Sequence, residues 1–115
     1  KPNMIISAID CPVQADIEKV AELTYTCLKE NVPVEVPGIA FLSGGQSADL
    51  ATLHLNKMNE KYSDMPWNMT FSYGRALQHD SLNTWKGKKE NREAAQESLL
   101  LRAHNNSLAT SGSKY

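Results

Sequence analysis

Two glycine-containing turns and one lysine carry most of the chemistry that this sequence can offer. Ser43-Gly44-Gly45-Gln46-Ser47 follows the apolar run at residues 39–42, and Ser72-Tyr73-Gly74-Arg75 follows Met69-Thr70-Phe71. Glycine lets backbone N–H groups approach an anion with no Cβ in the way, and a helix starting after the turn directs its positive end there. Arg75 adds a planar guanidinium able to hold two phosphate oxygens at once, and Ser72 adds a hydroxyl donor. A cation in the first turn of a helix opposes the dipole, a conflict that a bound anion removes. Neither turn is a dinucleotide G-x-G-x-x-G motif or a P-loop, because the second glycine spacing and the lysine are absent. Each alone also reads as a plain strand-to-helix turn. As a pair on successive strands, they match the way an α/β barrel builds a phosphate site at its strand ends.

Lys1, in Lys1-Pro2-Asn3-Met4, stands at the edge of an apolar stretch. A lysine amine attacks a carbonyl only when neutral. With an ordinary pKa of about 10.4, on the order of one molecule in a thousand is neutral at pH 7. Burial or neighbouring cations must lower that value, and the sequence shows no obvious supplier of either. The three features together suggest a carbonyl substrate that carries phosphate. Other candidates fail sooner. His54, His79 and His104 lack metal-ligand spacing, so no metal is expected. Neither Cys11 nor Cys27 has a histidine motif beside it. Trp67, Trp85 and the four tyrosines are not interleaved with basic residues as a stacking platform, and read as packing residues.

The elements that must position these residues alternate. Residues 4–6 are β-prone and read as a buried strand, followed by a helix over residues 15–30 with Ile17, Val20, Ala21, Thr24 and Leu28 on one stripe. Asn31 and Pro33 end that helix. A second strand over residues 39–42 lacks polar alternation and should be buried on both faces. Ser47 is the expected N-cap of a helix reaching about residue 61, with Ala48, Ala51, Leu55 and Met58 inward. A third strand over residues 68–72, a short helix over 77–85 and a last helix over 92–105 complete the pattern. Ala95, Leu99 and Ala103 are the expected inner face of that last helix. Residues 110–115 are small and polar and read as a loose tail.

This is an α/β chain of parallel βαβ units. Three strands alone would leave an exposed edge, whereas a full (β/α)8 barrel takes about 250 residues. Residues 1–115 therefore read as the C-terminal segment of a single TIM-barrel domain. The 12 basic and 13 acidic side chains nearly balance, which gives no general pull toward nucleic acid or an anionic membrane. The local cluster Lys86, Lys88, Lys89 and Arg92 reads as a solvated loop. Two widely spaced cysteines make neither a disulfide framework nor a zinc site, so a reducing cytosol is expected. No apolar run approaches the length needed to span a bilayer.

The segments Lys1-Pro2-Asn3-Met4, Val36-Pro37-Gly38 through Phe41-Leu42-Ser43-Gly44-Gly45-Gln46-Ser47, and Thr70-Phe71-Ser72-Tyr73-Gly74-Arg75-Ala76-Leu77-Gln78 resemble class I fructose-bisphosphate aldolase. Leu82-Asn83-Thr84-Trp85-Lys86-Gly87 and the final helix are similar to it as well, in the family's order. The resemblance implies a barrel enzyme that reversibly cleaves fructose 1,6-bisphosphate to dihydroxyacetone phosphate and glyceraldehyde 3-phosphate. It places Lys1 at the Schiff-base lysine. It matches Ser43, Gly44 and Gly45 to one phosphate-binding turn, and Ser72, Gly74 and Arg75 to the other. It implies no cofactor and no metal, a phosphorylated sugar as substrate, and a cytoplasmic homotetramer. The family's proton-transfer acids and further lysines lie outside this chain, so the 115 residues alone are expected to be inactive. Tyr115 matches an earlier Lys-Tyr of the family, not its functional terminal tyrosine. The alternative is a non-catalytic fragment or phosphate-binding interaction module.

Overall fold

The computed structural model describes residues 1–113; Lys114 and Tyr115 lie outside the described residues. Helix α1 spans Ile17–Asn31 and starts at Asp16, whose carboxylate accepts from the Lys19 N–H at 2.8 Å. Its buried stripe is Val20, Ala21, Thr24 and Leu28, the 3.6-residue spacing of an amphipathic helix. Strand β1 is Gly38–Phe41, helix α2 is Ala48–Lys61, strand β2 is Asn68–Phe71, helix α3 is Arg75–Trp85 and helix α4 is Arg92–Ala109. A single 3-10 turn, Lys89–Asn91, leads into α4.

β1 and β2 pair in parallel, with Gly38 opposite Asn68 and Phe41 opposite Phe71, and α2 forms the crossover between them. Phe41, Leu55 and Met58 are fully buried at the centre of the core, with Val20, Ala51, Ile39 and Met69 around them. Asn59 on α2 donates to the carbonyls of Met69 and Ala109, tying the crossover helix to β2 and to the end of α4. Trp67 is buried and its indole N–H donates to the Pro33 carbonyl at 2.9 Å; the Tyr73 hydroxyl donates to the Ala51 carbonyl at 2.8 Å. Buried aromatics with satisfied polar ends of this kind are packing residues.

Several details depart from the sequence reading. Residues 4–6 do not join the sheet. Their segment touches it through one bond, from the Leu42 N–H to the Pro2 carbonyl at 3.0 Å, while the Ile5 N–H turns to the Thr24 hydroxyl of α1. A ladder needs repeated bonds to one neighbour, and here the next donor on that side, the Met4 N–H, bonds the Asn3 side chain at 2.9 Å instead. Trp85 is 45% exposed and so is not a core residue. Helix α4 buries Ala95, Arg102, Asn106 and Ala109, not the Ala95–Leu99–Ala103 stripe; Leu99 is 39% exposed. A pattern that assumes polar residues point outward fails when polar partners wait on the opposing helix. Of the expected loose tail at residues 110–115, residues 114 and 115 lie outside the described residues; before them the Ser111 and Ser113 N–H groups bond back to Leu108, and Gly112 packs on the α2 backbone at Asn59 and Glu60.

Candidate functional site

The parallel pairing sets both turns at the same end of the sheet. The Ser72 N–H donates to the Phe41 carbonyl at 2.8 Å, so the chain leaves β1 and β2 side by side. Between the departing chains lies a cleft of about 590 Å³. Ser43, Gly45, Gln46 and Ser47 line it from the first turn, and Arg75 lines it from the start of α3. Gly44, Ser72 and Gly74 belong to the same turns but are not among its lining residues.

The two turns are built differently. Gly45 sits at φ +79°, a conformation costly for any residue with a Cβ. A Cβ on Gly44 would lie 3.0 Å from Leu42 Cδ1. Ser47 caps α2, its hydroxyl accepting from the Leu50 N–H at 3.2 Å. At the second turn, Gly74 occupies the N-cap position of α3, no side chain caps the helix, and its first turn carries no acidic residue. A Cβ at Gly74 would meet nothing within 4 Å. Arg75 is exposed at that open helix end.

Lys1 is exposed and does not line the cleft. Its segment is nonetheless held against the first turn. Pro2 accepts from Leu42, and the Asn3 side-chain amide donates to the Gly44 carbonyl at 3.1 Å. Asn3 Oδ1 accepts from the Met4 N–H at 2.9 Å, which fixes the orientation of that amide.

Sequence reasoning missed this bracing, and also that of Gln46. The Gln46 amide N–H donates toward the sulfur of buried Met4 at 3.5 Å. Its oxygen therefore faces His54 Nδ1, 2.7 Å away, which carries the proton of that contact. His54 is buried, and burial holds its pKa below the usual histidine value, keeping the ring neutral. No motif marks the pair: Gln46 lies in the turn before the Ser47 cap, and His54 lies within α2, eight residues further on. Among the described residues, no group of three or more His, Cys, Asp or Glu side chains could hold a metal ion. Nor is any helix among them long and apolar enough to cross a membrane.

The parallel βαβ arrangement and the turns opening together at the strand ends define an α/β protein. Comparison with known proteins narrows this to a family. The model of the glycolytic class-I fructose-bisphosphate aldolases matches residues 1–115, and the chain belongs to that family. It is 52% identical over 112 residues to fructose-bisphosphate aldolase B of Gallus gallus, covering 97% of this chain and 31% of that protein. The muscle-type aldolase of Lethenteron camtschaticum is 50% identical over the same shares. A chain in a ternary co-crystal structure of Plasmodium falciparum fructose-bisphosphate aldolase, in complex with TRAP and a small-molecule inhibitor, superposes with a TM-score of 0.92 at 48% identity. That match covers 99% of this chain and 33% of the other. The chain thus spans about a third of the length of the relatives it matches.

Proposed function

We propose that these residues form the C-terminal part of a (β/α)8 barrel and carry the Schiff-base lysine and ketose-phosphate grip of a fructose 1,6-bisphosphate aldolase. The Lys1 amine adds to the C2 ketone and water leaves, giving a protonated imine. The imine accepts the electron pair released as the C3–C4 bond breaks and the C4 hydroxyl loses its proton, so glyceraldehyde 3-phosphate departs. Protonation at C3 and hydrolysis of the imine then free dihydroxyacetone phosphate and regenerate the amine. Ser43, Gly44, Gly45, Ser72, Gly74 and Arg75 hold the phosphate nearest the ketone through backbone N–H groups, hydroxyls and the guanidinium. The lysine supplies the electron sink, so the chemistry calls for neither metal nor cofactor. By the family resemblance, the enzyme is a cytoplasmic homotetramer acting on a phosphorylated sugar, without nucleic-acid or membrane partners.

The observation that carries this reading is the convergence at one end of the sheet. Gly45 and Arg75 line one cleft, and the segment that bears Lys1 is latched to the same glycine turn through Asn3. The 115 residues alone are expected to turn over negligibly, because the sheet among the described residues has two strands, with edges open to further pairing, and by the family resemblance the proton-transfer groups come from elsewhere. Borohydride reduction of the full-length protein with dihydroxyacetone phosphate, followed by intact mass measurement, tests the nucleophile. One covalent adduct is expected, lost in Lys1→Met; undiminished trapping in that variant would assign the amine elsewhere.

A further inference from the structure

Arg102 lies on the buried face of α4 and is only 4% exposed. Its guanidinium is aimed at the first turn of α2. Nη1 donates to Asp49 Oδ1 at 2.7 Å, while Nη2 donates to the Ala48 carbonyl at 2.8 Å and to the Thr52 hydroxyl. Thr52 has Asn106 Oδ1 at 2.7 Å and the Ala48 carbonyl at 3.0 Å within reach of its single proton. Among the described residues, Arg102 Nε and Asn106 Nδ2 have no hydrogen-bond partner.

A stability device would not be built this way. The guanidinium bears full desolvation and an orphaned N–H, whereas its carboxylate partner is 85% exposed and its attraction is screened. What the arrangement does is constrain the residues it grips. Ala48 and Asp49 directly follow the Ser43–Ser47 turn, and both line the cleft that holds Arg75. Asp49 and Asp80 set two negative charges along that cleft against the one positive charge of Arg75. An incoming phosphate dianion is repelled by both carboxylates.

We infer that Arg102 is a positioning residue for phosphate binding. It draws the Asp49 carboxylate toward α4, offsets its charge, and holds the first turn of α2 so that the preceding glycine turn keeps its place. The inference rests on the reading of the two turns as a phosphate grip. Arg102 is not among the residues lining the cleft and reaches it through Ala48 and Asp49, which are.

The test uses the full-length protein with inorganic phosphate in calorimetry, and fructose 1,6-bisphosphate in kinetics. Arg102→Met should weaken phosphate about fivefold and raise KM by a similar factor with kcat largely kept, the scale of one unmasked, partly screened charge. Adding Asp49→Asn to Arg102→Met should restore most of that loss, which a merely structural role of Arg102 would not allow. Asp49→Asn alone, with Arg102 in place, should tighten phosphate. A kcat loss without a change in phosphate affinity, or a double variant no better than Arg102→Met, overturns the inference. If Arg102→Met fails to fold, Asp49→Asn decides: tighter phosphate supports the inference, and unchanged or weaker phosphate overturns it. Arg75→Ala separates the two levels. Undiminished phosphate binding in that variant removes the grip and the inference together. Weakened binding there, with wild-type binding in Arg102→Met, removes the inference alone.

Discussion

The turn after β1 and the turn after β2 occupy equivalent places, yet side chains from several elements brace the first, whereas the second, anchored by buried Tyr73, leaves its helix start uncapped. Ser47 caps α2, Asp49 supplies an acid to its first turn, and Asn3, Gln46 with His54, and Arg102 each hold part of the segment. At the second turn, α3 has a glycine for a cap, no capping side chain, no acid in its first turn, and a cation where the dipole is positive. A helix start left uncapped and carrying the wrong charge is unfavourable by itself and becomes favourable around an anion. The contrast teaches that the two turns divide the work. On the proposed reading, the first turn is a backbone cradle and the second an electrostatic partner that a bound anion satisfies.

Glycine substitutions probe the division with the largest expected effect. Gly45→Val forces a β-branched residue to positive φ, with its Cβ 3.3 Å from Ile6 Cδ1, and should cost about 2–3 kcal/mol. Gly74→Ala enters open space at negative φ and should stay within about 0.5 kcal/mol. Denaturant midpoints compare the two; similar losses would mean that the second turn is as constrained as the first.

The helix starts come next. Ser47→Ala removes a cap and should cost about 1 kcal/mol. Arg75→Ala should do the reverse in phosphate-free buffer, stabilising the protein by about 0.3–1 kcal/mol as an opposed cation leaves the helix N-terminus. If the proposed phosphate grip holds, added phosphate should raise the thermal stability of the wild type and that of this variant far less. Destabilisation of the phosphate-free protein by Arg75→Ala would end the contrast.

The smallest effect is on pH dependence. Burial lowers the His54 pKa in the folded state, so the unfolded chain binds the proton first as pH falls. The stability tied to neutral His54 is complete above the ordinary histidine value near 6.5, and declines as pH drops below it toward the folded-state pKa. His54→Gln should flatten that part of the stability–pH curve. An unchanged slope would show that the brace behind the first turn does not titrate.

How much of this could be read beforehand depends on what each residue answers to. The α1 stripe, the Ser47 cap and the breaks at Pro33 and Gly44 are local, set by periodicity and backbone preference within one turn of chain, and the structure follows them. Residues 4–6 and helix α4 answer to distant partners. The Ile5 N–H is claimed by Thr24 of α1, and Arg102 and Asn106 are buried because Asp49 and Thr52 face them from α2. No hydropathy pattern contains that information.

From the sequence by itself came the alternation of strands and helices, the two glycine turns, the lysine, and through their order the family. These depend on conformational preferences and motif spacing, which act along the chain. Only the tertiary structure decided that Gly45 and Arg75 share a cleft, that Asn3 latches the lysine's segment to it, and that a buried arginine on α4 holds Asp49 at its wall. Those contacts join residues 30 to 53 positions apart. Their cost in chain entropy is met by packing of the whole core, and so they exist only once it has formed.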